Sequence, residues 1–142
     1  MNNLLKMELS NIEIPNLDWE YISSNERLTE EFMEKYYLEL NCDMLSRYQN
    51  MSYEFLKRNL DIINWTFLTM NKNYDYTGRD TRPIYLMHKN SDKIDWNYIE
   101  DNILFIPSLN YLENHKNYLS KEYINRFTKR YKEQIKIILQ EK

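Results

Sequence analysis

The sequence predicts an all-α fold, a short α-solenoid of stacked helix pairs closed by a long C-terminal helix, and three observations carry that prediction. Residues recur at a spacing of 23: Trp19, Cys42 and Trp65 form one series and Ile22, Leu45 and Leu68 another, while Phe32 and Phe55 each stand ten residues before the next unit begins. A fixed period of this size marks a stacked repeat whose single units cannot bury their own apolar faces. The second observation is a set of helix-start signals placed at the same points of the repeat. The third is that no run of β-branched residues alternates cleanly enough to read as a strand.

The starts come in two series. Asp18, Asn41, Asn64 and Asp95 each precede the first position of a unit, and all are favoured N-cap residues, whose side-chain oxygen accepts from an otherwise unpartnered helix amide. The residue before each cap is apolar (Leu17, Leu40, Ile63, Ile94), as is the residue five places on (Ile22, Leu45, Leu68, Ile99), the pattern of a hydrophobic staple. Inside the units Thr29, Ser52 and Ser120 repeat the signal, with Leu28, Met51 and Leu119 before them and Met33, Leu56 and Ile124 as staple partners. Each unit is therefore read as a short helix followed by a longer one. The units lie near residues 17–40, 41–63, 64–94 and 95–118 of one domain spanning 1–142.

The third unit is longer than the first two, because Leu86 keeps its ten-residue spacing to Trp96 while eight extra residues fall between Tyr74 and Pro83. That insertion holds the chain's only glycine, Gly78, with Tyr74, Tyr76, Arg79 and Arg82. It is expected to bulge from the stack, and its tyrosines and arginines are residue types enriched at binding hot spots. Beyond Trp96 the pattern shortens, Pro107 interrupts it, and a degenerate helix restarts at Leu109. The last segment, 120–139, places Tyr123, Ile124, Phe127, Tyr131, Ile135 and Ile138 at spacings of three and four, the apolar stripe of a capping helix.

Composition narrows the function. The chain has 142 residues, a net charge of −3, 15% aromatic residues, one cysteine and two histidines, and no alanine or valine. Without alanine its helices depend on caps and packing more than on propensity. The codon bias behind this composition points to an AT-rich genome. Met1 to Ser10 lacks the apolar stretch of a secretory signal and no segment reaches membrane-span length, so a soluble, intracellular protein is expected. Phosphate loops and dinucleotide folds need glycines that are missing, and a zinc site needs more His or Cys donors than His88, His115 and Cys42 supply. Cys42 occupies the position of a repeat tryptophan and is read as a small buried core residue, and Trp19, Trp65 and Trp96 are read as core by their repeated position. No catalytic residue, cofactor, metal or small-molecule substrate is expected.

Charge is uneven along the chain. From Asn114 onward eight Lys or Arg stand against three Glu, a net of +5, which leaves −8 for residues 1–113. Arg126, Lys129, Arg130 and Lys132 cluster beside Phe127 and Tyr131 and could meet nucleic-acid phosphates. The favoured reading is a solvated face whose cations oppose the helix dipole.

The run Leu17-Asp-Trp-Glu-Tyr-Ile-Ser-Ser-Asn followed by Leu28-Thr-Glu-Glu-Phe-Met-Glu-Lys-Tyr resembles the short tandem helical repeats found in proteins of AT-rich giant DNA viruses of the mimivirus kind. The resemblance extends over Leu17 to Trp65, partly to Ile99 and loosely beyond. It implies a viral, intracellular repeat scaffold and brings no catalytic residues with it. Cys42 in the tryptophan position, the insertion and the irregular end depart from the pattern. The expected function is a non-enzymatic adaptor or scaffold that holds another protein, viral or host, through Tyr74, Tyr76, Arg79 and Arg82. The alternative is an RNA-binding component of a transcription or translation complex acting through Arg126, Lys129, Arg130 and Lys132.

Overall fold

The computed structural model describes residues 17–74 and 80–142. Among the described residues all regular structure is helical, with eleven α-helices and one short 3-10 helix. The chain divides into two compact units, 1–74 and 75–142. The division falls inside the third expected repeat, at the start of its insertion.

The first unit contains α1 (Trp19–Asn25), α2 (Glu30–Lys35), α3 (Cys42–Tyr48), α4 (Tyr53–Arg58) and α5 (Trp65–Thr69). These helices run five to seven residues, far below the length at which an isolated helix is stable in water. Their ends are fixed by the expected caps: Asp18, Thr29, Asn41, Ser52 and Asn64 each accept, through the side chain, from the amide three residues on at 3.1 Å. Helix α1 packs on α3 and α3 on α5, so the opening helices of successive repeats are neighbours. The 23-residue series is the core: Ile22, Leu45 and Leu68 are buried, as are Phe32 and Phe55, Met33 and Leu56, Leu28 and Met51. Each such side chain contributes roughly 1.5–3 kcal/mol relative to exposure.

Polar side chains weld one repeat to the next. The buried Ser23 hydroxyl donates to the Trp19 carbonyl at 2.6 Å and accepts from the Asn41 amide at 2.9 Å. One repeat later Ser46 donates to the Cys42 carbonyl at 2.8 Å and accepts from the Asn64 amide at 2.9 Å. The buried Gln49 amide donates to the Ser23 and Glu26 carbonyls and accepts from the Leu28 amide. Asn71 closes the following junction on the Ser46 and Gln49 carbonyls. Glu30 accepts from both the amide and the hydroxyl of Ser52, at 2.7 and 3.0 Å. Trp65 is buried, whereas Trp19 is half-buried. Cys42, expected to be buried, is half-buried at the surface end of α3. Burial, and then the neighbouring Asp43, raise its thiol above the ordinary range, which disfavours the thiolate.

The second unit contains α6 (Arg82–Lys89), a 3-10 turn (Ser91–Lys93), α7 (Trp96–Asp101), α8 (Leu109–His115), α9 (Lys121–Asn125), α10 (Thr128–Tyr131) and α11 (Glu133–Glu141). Asp95 and Ser120 cap α7 and α9 as expected, and Ser108 caps α8. The Ser120 amide and hydroxyl also bind the Glu100 carboxylate, as Ser52 binds Glu30. The segment expected to form one long capping helix is instead three helices, broken at Phe127 and again at Lys132, whose φ of 50° and ψ of −121° cannot continue a helix. The apolar stripe survives the breaks: Tyr123, Ile124, Ile135 and Ile138 are buried, and α11 folds back on α8, α9 and α10. A straight helix would point its later turns away from α8, and the two breaks let Ile135 and Ile138 return to the core.

The two histidines, 27 positions apart in sequence, meet in this unit. Their rings are 5.2 Å apart, edge to face, and Trp96 lies 5.3 Å from His115 and stacks on Tyr118 at 4.9 Å. His115 is fully buried, and burial followed by the nearby His88 lowers its pKa to about 3. Trp96, expected in the core, is half-buried.

Candidate functional site

The residues expected to bind a partner sit differently from one another. Tyr74 does not project: its hydroxyl donates to the Met51 carbonyl at 2.8 Å, and burial raises its phenol pKa well above the ordinary range. Tyr76 and Arg79 lie outside the described residues. Arg82 is exposed at the first turn of α6, where it pairs with Asp80 at 2.9 Å and thereby lowers that carboxyl's pKa. The structure thus keeps Tyr74 for the first unit and Arg82 for the second.

The basic cluster is likewise divided in its roles. Arg126 is occupied, donating to the Glu100 carbonyl at 3.0 Å with its guanidinium 5.5 Å from the Tyr123 ring. Lys129, Arg130 and Lys132 are exposed on α10 and the turn after it. Lys132 is also the residue that breaks the helix.

The feature that sequence reading missed is the loop between α7 and α8. Ile103 and Leu104 are 87% and 88% exposed and Ile106 is 52% exposed, three aliphatic side chains within four positions. The loop that carries them is anchored at Asn102, Phe105 and Pro107. The Asn102 side chain accepts from the Leu104 amide at 3.1 Å, and the Asn102 carbonyl accepts from the Phe105 amide at 3.2 Å. Phe105 turns inward and meets the Tyr111 ring edge to face at 5.1 Å. Pro107 is buried, its carbonyl accepting from the Tyr131 hydroxyl at 2.7 Å, and Ser108 then caps α8.

The arrangement is a fixed turn whose inward residues anchor it and whose outward residues are all aliphatic. Leaving a Leu or Ile side chain in water forgoes roughly 1.5–3 kcal/mol each. Scattered exposed apolar residues such as Leu38 in the first unit are ordinary, whereas three exposed aliphatic residues within four positions are not scattered. The same stretch, Asn102 to Leu112, is the longest run of the chain without a charged side chain. That was the available sequence signal, and it reads as a degenerate repeat until the loop geometry is seen.

Among the described residues no group of three or more His, Cys, Asp or Glu is placed to hold a metal ion. Among the described residues of the first unit lie polar clefts of about 400 and 490 Å³. Their lining groups Gln49, Asn73, Glu30, Glu34 and Arg58 are engaged with one another or with backbone. No helix among the described residues is long and apolar enough to cross a membrane. No protein-family model, curated protein or solved structure matches this chain.

Proposed function

We propose that this chain is a non-enzymatic protein-interaction adaptor, part of a multiprotein assembly that the repeat resemblance implies is viral. The observation that carries the reading is the anchored loop after α7, which presents Ile103, Leu104 and Ile106 to solvent on a turn fixed by Asn102, Phe105 and Pro107. A preformed apolar surface spends little ordering entropy on binding. The hydrogen-bonded junctions at Ser23, Ser46, Gln49 and Asn71 in the first unit support the scaffold reading. Capture of binding proteins by the immobilised full chain, repeated with Leu104→Asp, tests the reading. A captured protein lost with Leu104→Asp supports it, and a partner retained undiminished moves the interface elsewhere.

A second reading draws on the exposed Lys129, Arg130 and Lys132, for which the structure gives no ion pair among the described residues. It makes the chain an RNA-binding component whose affinity falls steeply with salt. Reversing the three cations to Glu then abolishes RNA binding at low salt, and an absence of RNA binding by the wild-type chain at low salt removes this reading.

A further inference from the structure

We propose that the Ile103–Leu104–Ile106 knob seats in the cleft between α8 and α11 of a second copy of this chain, so that two copies pair about a two-fold axis. This rests on the reading of the loop as a protein-docking surface and names its occupant.

The cleft is in the same unit as the knob. Leu109, Ile137 and Ile138 form it, with Asn110, Glu113 and Gln134 at its rim, and its free volume is about 190 Å³. A cavity of about 150 Å³ admits a group the size of benzene, so the space suits one protruding Leu or Ile side chain. Ile137 at its edge is 54% exposed, although it lies on the one helix of the unit whose other isoleucines, Ile135 and Ile138, are buried. A protruding aliphatic group and an open aliphatic cleft on one molecule are complementary to each other.

Their placement decides between a closed pair and an open chain of copies. A knob and a pocket on opposite faces would propagate filaments, whereas a two-fold pair needs both on one face. Ile106 and Leu109 are three residues apart, hence within roughly 11 Å along the backbone. At that separation the proposal places both contacts in one interface, each copy giving its knob and receiving the other's.

Charge favours the same occupant. A two-fold interface sets each surface against itself, so every charge near the axis meets its own kind. The knob and the start of α8 fall within the uncharged run 102–112 in a chain that is 29% charged. At the cleft rim Glu113 is already paired with Lys116 at 2.9 Å. Within 102–112 a charged partner finds no side chain to pair with, and an identical apolar surface meets no like charge there.

Sedimentation velocity of the full chain over a wide concentration range is the test. The expected result is a reversible monomer–dimer equilibrium in the micromolar range, with no larger species. Leu104→Asp and Ile137→Asp should each weaken it by at least about tenfold, or about 1.4 kcal/mol. Both side chains are exposed, so circular dichroism should be unchanged, and Leu38→Asp on the first unit should leave the dimer intact. A wild-type chain that stays monomeric throughout overturns the second copy as occupant. The docking reading of the loop is then judged separately, by whether Leu104→Asp still captures a different protein. A dimer that survives Ile137→Asp overturns the knob-in-cleft contact, and one that survives Leu104→Asp places the interface away from the loop.

Discussion

The Ser46 hydroxyl receives the amide of Asn64, the cap of the next repeat, at 2.9 Å, just as Ser23 receives Asn41 one repeat earlier. Each serine is buried and also donates to a carbonyl of its own helix, so it joins the end of one helix to the start of another. Ser46→Ala removes the hydroxyl that accepts the Asn64 cap amide, at an expected cost of roughly 1–3 kcal/mol. Ser24→Ala, which breaks bonds only within its own helix, to the Glu20 and Tyr21 carbonyls and from the Asn25 side-chain amide, should cost under about 0.5 kcal/mol. Urea unfolding of the two variants measures the difference, and equal losses would show that the serine junction does not hold the repeats.

This junction also shows what could be read from the chain and what could not. The caps Asp18, Thr29, Asn41, Ser52, Asn64, Asp95 and Ser120 were legible because capping is local chemistry, decided within three residues. Ser23 and Ser46 keep the same 23-residue spacing, yet a serine carries no sign that its partner lies eighteen residues on. The meeting of His88 and His115 was invisible for the same reason. The breaks at Phe127 and Lys132 were missed because the apolar stripe has the same spacing whether the helix is straight or folded back. Of the candidate site, the insertion was legible as an interruption of register. The knob was not, since Ile103, Leu104 and Ile106 look like core until their exposure is known.

His115 gives the second unit an acid sensitivity that can be signed. Its pKa falls from 6.5 to about 3 on folding, because burial and then His88 disfavour the imidazolium. The unfolded chain therefore binds the proton first. Stability from this group is complete above pH 6.5 and is lost as pH drops toward 3, with a limiting slope of about 1.4 kcal/mol per pH unit. His115→Phe keeps an aromatic ring and removes the titration. The stability difference between wild type and this variant should be flat above about pH 7.5 and shift toward the variant by about pH 5. A difference that does not change with pH would contradict a neutral buried His115.

Lys132 adopts φ 50° and ψ −121°, the backbone of the first central residue of a type II′ turn, where a Cβ is disfavoured and glycine is not. Lys132→Gly should stabilise the chain by about 1 kcal/mol by relieving that conformation. Lys132→Ala removes the same charge but keeps the Cβ and should bring no gain. Thermal unfolding separates them, and a destabilised glycine variant would mean that the break between α10 and α11 is not strained.

The central claim is that Ile103, Leu104 and Ile106 form the surface on which a protein docks. Methyl-detected NMR of the full chain, with labelled isoleucine and leucine, reports it most directly, first across a protein concentration series and then in any complex recovered by capture. The account predicts that the methyl signals of Ile103, Leu104 and Ile106 move on association while those of the exposed Leu38 and Leu60 in the first unit stay in place. Association that shifts Leu38 or Leu60 and leaves the three loop residues unmoved would contradict it.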